Sequence, residues 1–430
     1  MVRTPAAPKR QREIAVIGSG VAGLTAAHIL QKDANVTLYE ADHRLGGHAD
    51  THEVFTSDAG VLGVDTGFIV HNERTYPTLL RLFAELGVET QDSEMSMSIS
   101  CEGCGLEYAG AKGLRGMFAQ PRSLLRPRYL RMLKEVLRFH RSARDVLAIA
   151  EGSRTQDQTL AEFLAAGKYS TYFIQHFMTP VVSCVWSCAP EVALDYPARY
   201  LFAFLDNHGM LSVTGTPQWK TVVGGSHTYV ARAAKDLTAV LTATPVHRVR
   251  RVGARVEVTS DLGTKTFDGV VIATHPNQAL KMLAKPTLEQ YELLSAFEYS
   301  HNPTVLHSDE RILPDASGAQ ASWNYRMDSC ATTSDKVVVS YDMRRLQRLS
   351  TTQPLIVTLN PNTHVRPETI RDRMEYEHPI YTPRSVAAQR RLPELNDDVI
   401  AFAGAYHGWG FHEDGARAGA AAAMSLGGTW

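Results

Sequence analysis

The chain has 430 residues, enough for two domains, and its 44% apolar and 21% charged content is that of a globular protein. Lys and Arg number 44 against 45 Asp and Glu, a net charge of −1, so no global field draws the chain to nucleic acid. No apolar run is long enough to span a bilayer, and five cysteines at loose spacing fit a reducing compartment.

In chain order, Met1 to Arg12 is polar, basic and proline-containing, and reads as a loose tail, while Ile14 to Leu30, with Gly, Ser and Thr in it and an acidic residue before it, reads as a βα unit and not as a signal peptide. Glu13 to Ile17 reads as a buried strand, Val21 to Gln31 as a helix and Val36 to Tyr39 as a second strand. Their first turn carries Gly18-Ser-Gly20-Val-Ala-Gly23. In such a βαβ unit the first glycine makes the turn, the second admits a pyrophosphate to the backbone, and the third lets helix and strand pack closely. The phosphates would sit on the helix N-terminus. Glu40 ends the second strand, where a carboxylate accepts from ribose hydroxyls and repels a 2′-phosphate. Arg44-Leu-Gly46-Gly47-His48 follows.

His48 to Val70 reads as a β-hairpin ending at Asp65-Thr-Gly67-Phe68-Ile69, and Tyr76 to Leu86 as an amphipathic helix. Cys101-Glu-Gly-Cys104 reads as the turn of a hairpin between Ser96–Ser100 and Leu106–Tyr108. A zinc knuckle there would need Cys184 and Cys188 to converge on it, and no metal site is assigned. Residues 112–144 carry ten Lys or Arg against Glu135 alone. Within them Tyr129 to Ile149 is helical in pattern, with Leu130, Leu133, Val136, Leu137, Ala143, Val146 and Leu147 on one face. The basic face is either solvated or a contact for anionic headgroups.

Leu160 to Phe177 is again helical, and Met178 to Pro190 reads as a turn with buried aromatics. Gly224-Gly225 precedes a helix from His227 to Lys235, then come β-like runs at Val246–Arg250, Val256–Ser260, Lys265–Phe267 and Val270–Thr274. A short helix, Asn277 to Leu283, carries Lys281. Val337–Asp342 and Leu355–Leu359 read as strands, and Val399 to Gly404 as a last buried strand. An alanine-rich helix, Ala416 to Leu426, follows. The nucleotide-binding elements are thus scattered over 13–88, 216–285 and 393–430, so the material between them, 89–215 and 286–392, forms an inserted substrate domain.

The chain has one GxGxxG, a second glycine pair after the ribose-binding acid, and a C-terminal helix start at Asp414-Gly415 suited to a reduced isoalloxazine. These favour FAD over NAD. The motifs Gly18/Gly20/Gly23 with Glu40, Arg44-Leu-Gly46-Gly47, Asp65-Thr-Gly67, Gly224-Gly225, Val271-Ile-Ala-Thr274 and Gly404 with the terminal helix span nearly the whole chain. In them it resembles the flavin amine oxidase and phytoene desaturase superfamily. The resemblance implies an α/β, Rossmann-like FAD-binding domain of the amine-oxidase type with an inserted α+β substrate domain. It implies that Gly18 to Gly23 bind the pyrophosphate, Glu40 the adenosine ribose and Val246 the adenine through its backbone. Gly67, Phe68 and Ile69 would line the flavin, with Asp414 and Gly415 beneath its pyrimidine end and Arg44, Gly46, Gly47, His48 and Gly404 contributing to the cofactor site. FAD would be non-covalent, since no Cys follows Cys330.

A narrower resemblance rests on Gly46-Gly47-His48, Gly67 to Asn72, Thr75-Tyr76-Pro77, Val357 to Pro361 and Gly410 to Gly415. In these the chain is similar to a bacterial subgroup related to the oxidase-like domain of plant cyclopropane fatty acid synthases. That implies an acyl-lipid substrate and a lipid methyltransferase-type partner.

For catalysis, His407, Trp409 and His412 lie between the last strand and the last helix, on a loop able to reach the ring, and a histidine there can serve as base. Lys281 is the candidate for the lysine that amine oxidases place near the flavin. Three readings follow: an FAD-dependent oxidoreductase of an apolar acyl-lipid substrate, a small-amine oxidase, and a flavin-bound accessory protein of a lipid-modifying enzyme. The expected location is cytoplasmic, peripheral at the inner membrane face through 112–144.

Overall fold

A computed structural model of the chain describes residues 11–149, 158–212, 215–331, 336–362 and 364–430. The tail expected over Met1 to Arg12 falls almost wholly outside them, and Arg12 already begins the first strand.

The nucleotide-side domain is built on β1 (Arg12–Ile17), α1 (Val21–Leu30) and β2 (Ala34–Tyr39). Its sheet holds five parallel strands in the order Ala239–Leu241, β2, β1, Gly269–Ile272, Ile400–Phe402. Ile14 to Ile17 and Val270 to Ile272 are buried on both faces, as a parallel sheet covered on each side requires. The chain leaves β1 for β2 on one side and returns much later to the other, so the end of β1 is a topological switch point, where such sheets open a ligand crevice.

α1 and the last helix, His412–Ser425, cover one face together. Their contact is tight because it is built from small residues. A Cβ at Gly419 would stand 2.1 Å from the Ala22 carbonyl oxygen, and one at Gly415 2.6 Å from Val21 Cγ1. This helix begins at His412, four residues earlier than the alanine run suggests.

The inserted domain is a seven-stranded mixed sheet ordered Ile370–Ile380, Glu298–His307, Ile356–Leu359, Val338–Asp342, Trp323–Met327, Met97–Cys101, Leu106–Tyr108. Helices between 127 and 207 pack on it. Its two longest strands, Glu298–His307 and Ile370–Ile380, went unread in the sequence because charged and polar residues occupy most of their exposed positions. Thr179–Trp186 is a helix, not the expected turn, entered through one turn of π-helix at Ile174–Met178. Pro180 sits in its first turn, where a missing N–H is tolerated. Leu293, Leu294, Phe297 and Leu392 pack into the nucleotide-side core, so that core draws on residues beyond the 285 and 393 boundaries.

The basic segment forms a helix over Pro127–Ala148. Tyr129, Met132, Phe139 and Ala143 face inward with Glu135, while Leu137 is exposed, a rotation of the expected face by part of a turn. Inward-facing Glu135 is satisfied there: its carboxylate accepts from Ser170 N at 3.0 Å and from Ser170 Oγ, the N-cap of the helical turn Thr171–Phe173. Among the described residues no helix is long and apolar enough to cross a membrane.

Candidate functional site

The glycine-rich turn has the shape the motif predicts. Gly18 lies at φ +98°, and a Cβ there would meet the Ala273 carbonyl oxygen at 2.6 Å. At Gly23 a Cβ would stand 1.9 Å from the Gly18 carbonyl oxygen. Gly20 differs, since a Cβ there meets nothing within 4 Å. Gly20 is also the N-cap of α1 and offers no side-chain acceptor to the first-turn N–H groups. Open space in front of uncapped amides is a cradle for a pyrophosphate.

Glu40 closes the cradle. Its carboxylate accepts from Ser19 N at 2.9 Å, from Ser19 Oγ at 2.5 Å and from Asp42 N at 2.9 Å. Ser19 Oγ in turn receives the Gly46 amide at 3.1 Å, which ties the second glycine pair to the first turn, and a Cβ on Gly47 would lie 3.3 Å from Gly20 Cα. Thr244 N donates to the Glu40 carbonyl at 2.8 Å, which brings the chain two residues ahead of Val246 against Glu40. Arg44 braces the loop, donating to the Gly47 carbonyl at 2.9 Å and pairing with Asp42 and Asp50.

Gly67 and Phe68 are pressed onto this loop: Phe68 N donates to the His48 carbonyl at 2.6 Å, and a Cβ on Gly67 would meet that oxygen at 2.2 Å. The Phe68 ring stacks on His412 with centroids 3.6 Å apart, and the Tyr229 hydroxyl lies 3.1 Å from His412 Nε2. Burial, with His48 and His71 nearby, holds His412 well below the usual histidine range. The His48 ring lies 5.5 Å from His378, which burial lowers to about 3. His48 and His71 are each lowered to about 4, again chiefly by burial. These imidazoles are neutral at pH 7.

The other sequence-predicted residues distribute unevenly. Gly404 is extended, packed under the Tyr406 ring. His407 is lowered to about 4 by burial and Arg417, and its Nε2 is buried without a protein partner. Trp409 leaves the histidines and joins the aromatic residues of the inserted domain, near Tyr200 and Phe204, while its carbonyl accepts from Trp186 Nε1 at 2.9 Å. Ile69 also packs into that core. Asp414 turns back on its own helix, accepting from Phe411 N at 3.1 Å and pairing with Arg417 at 2.9 Å, and burial raises it to about 6. Lys281 is exposed on its helix.

The residue that does follow the Gly269–Ile272 strand inward is His275, which sequence reading passed over. Its ring stacks on Tyr299 at 4.1 Å, and its Nδ1 lies 2.9 Å from the Glu377 carboxylate. Burial lowers its pKa, and Glu377 partly offsets that. His275 stands one residue past the Val271–Thr274 run, which was the available signal, but Glu377, His378 and Tyr299 lie on the two unread strands.

FAD fits these residues on three observations: the open face at Gly20, the acid at the end of β2, and the orphaned His407 Nε2. Comparison with known proteins agrees. The pattern of the family described as flavin containing amine oxidoreductase matches residues 21–308. "Putative flavin-containing monoamine oxidase AofH" of Mycobacterium tuberculosis (strain H37Rv) is 28% identical over 297 residues, 66% of this chain and 61% of that protein. The match thus spans about three fifths of the relative's length. Among solved structures, cyclohexylamine oxidase from Brevibacterium oxydans superposes with TM-score 0.67 at 17% identity, covering 97% of this chain and 98% of that one. A CLA-producing fatty acid isomerase from P. acnes gives TM-score 0.67 at 14% identity, covering 96% and 98%. The fold is theirs. The chain belongs to the flavin-containing amine oxidoreductase family.

Proposed function

We propose that the chain is an FAD-dependent oxidoreductase that dehydrogenates or otherwise oxidises an apolar, acyl-lipid-type substrate. The observation that carries the reading is the aromatic cluster on which the Gly404–Phe411 loop packs. Trp409 and Phe411 pack with Trp186, Tyr200, Phe204 and Tyr381, all uncharged and aromatic. A substrate held there gains from apolar burial, and the carboxylate beside the cluster, Asp414, is already paired with Arg417 and not free to anchor an ammonium. Bound FAD supplies the acceptor for the hydride. The chain's own part is to hold the carbon chain and to exclude water. His275, whose carboxylate partner Glu377 partly offsets the effect of burial, is the group to take the accompanying proton, while His412, held by Tyr229 and Phe68, stays neutral.

Access from a membrane supports the same reading. Leu114 and Leu125 are 72% and 85% exposed beside Arg115, Arg122 and Arg128, a mixture that suits an anionic lipid surface. The narrower sequence resemblance, with its lipid methyltransferase-type partner, and the fatty acid isomerase fold match point the same way. Amine oxidation is the second reading, favoured by the name of the curated relative and by the amine oxidase fold match.

Product analysis separates them. The purified enzyme in air, given phosphatidylglycerol vesicles, should yield acyl chains altered in mass, with electron uptake to match. Unchanged lipid, with an amine converted to aldehyde and ammonia instead, would replace this reading by the second.

A further inference from the structure

The CxxC hairpin of the inserted domain does not stand alone. Cys101, Cys104, Cys330 and His176 bring their ligand atoms within 4.8 Å of one another. They come from four separate places: the end of the strand Met97–Cys101, the hairpin turn, the loop after Trp323–Met327, and the π-helical turn Ile174–Met178. Cys184 and Cys188, the partners a zinc knuckle seemed to need, are not in the group.

We propose that these residues form a closed, structural zinc site. Two edges of the group support one tetrahedral ion. Cys101 Sγ and Cys330 Sγ are 3.7 Å apart, and Cys104 Sγ is 3.5 Å from His176 Nε2. With Zn–S near 2.3 Å and Zn–N near 2.0–2.1 Å, a tetrahedron has sulfur–sulfur edges of about 3.8 Å and sulfur–nitrogen edges of about 3.5 Å. Ligand atoms this close surround a single ion, and three thiolates with one imidazole select zinc over hard, oxygen-seeking cations. The five cysteines are free thiols, so no disulfide competes for the sulfurs.

The surroundings are those of a metal-binding histidine. His176 is fully buried. Its Nδ1 lies 3.2 Å from the Tyr172 carbonyl, so Nδ1–H donates there and Nε2 is left bare toward the thiols. The Tyr172 ring stacks on the imidazole at 4.0 Å, and the Tyr108 hydroxyl donates to the His176 carbonyl at 2.6 Å. A single turn of π-helix is an irregularity that often marks a functional position. The hairpin tip is pressed onto the third cysteine's loop, since a Cβ on Gly103 would lie 2.9 Å from Cys330 N. Binding forms one Zn–N and three Zn–S bonds, the three thiol protons leave to solvent, and the site carries a charge of −1. Arg122 and Arg126, both donating to the Gly105 carbonyl, balance that charge. The ion would staple the sheet edge to the helical layer, far in sequence from the glycine cradle.

The test is elemental analysis of the flavin-loaded protein made in zinc-supplemented medium and purified without chelator. The expected result is about one zinc per chain, falling more than tenfold in Cys330→Ser and in His176→Ala and unchanged in Cys184→Ala. Should the ligand variants fail to fold, a thiol-modifying reagent is added to the wild type with a chromogenic chelator. Zinc should then appear in step with three modified thiols. Cobalt in its place should give strong thiolate charge-transfer and tetrahedral d–d bands. Wild-type protein with less than about a tenth of a zinc per chain, or zinc retained in Cys330→Ser and His176→Ala, overturns the proposal.

Discussion

Asp65 shows how much one buried carboxylate can organise. Its Oδ1 accepts from Thr51 Oγ1 at 2.6 Å, Ser226 N at 2.9 Å and Ser226 Oγ at 2.8 Å, and its Oδ2 from Gln347 Nε2 at 3.0 Å. It therefore joins the hairpin, the Gly224-Gly225 turn and the inserted domain at one point. Burial raises it to about 6, against the pull of those donors. Asp65→Ala strands the donors and should cost about 3 kcal/mol of stability in denaturant melts. Asp65→Asn keeps an acceptor toward Ser226 and should lose less than half of that. The sequence exposed Asp65 only as part of a motif. Its partners Ser226 and Gln347 are remote in sequence, and no local pattern marks them. His275 was hidden for a related reason, since a histidine opening a short helix looks like a cap until Glu377 and Tyr299 are seen against it.

Among the elements, β1, α1 and β2 were legible because hydrophobic run, glycine spacing and terminal acid agree within thirty residues. The glycines separate packing from binding. Gly20 has ordinary helical-cap φ of −63° and free space, so Gly20→Ala should leave the melting temperature within about 2 °C yet weaken FAD binding at least tenfold, about 1.4 kcal/mol. Gly23→Ala drives a methyl into the Gly18 carbonyl and should lower both stability and flavin content. Thermal melts with flavin quantitation read both, and equal behaviour of the two variants would contradict the assignment. The paired strands Glu298–His307 and Ile370–Ile380 were illegible because pairing, not apolar alternation, defines them. The Cys101–Cys104 turn was read correctly as a hairpin, but its companions arrive from positions 176 and 330, beyond any spacing rule.

On the scale of the whole molecule, histidine burial sets the pH response. His48, His71, His208, His307 and His407 are lowered to about 4 and His378 to about 3. In this window the unfolded chain binds protons that the folded chain refuses, so stability present above about pH 6.5 is lost as pH falls toward 4. Asp65 and Asp414, raised to about 6, oppose this between about pH 6 and pH 4, and His52, raised by Asp50, also runs the other way, but they are outnumbered. The melting temperature should drop by about 10 °C between about pH 7.5 and about pH 5, and a flat profile would contradict the burial of these rings. The proposed oxidation of an apolar chain rests on pairing a nucleotide-binding frame with an inserted aromatic domain. The most direct test of that account is the absorbance of bound flavin near about 450 nm on anaerobic mixing with phospholipid vesicles and, separately, with a panel of amines. The account predicts bleaching by lipid and not by amines. Bleaching by an amine alone would contradict it.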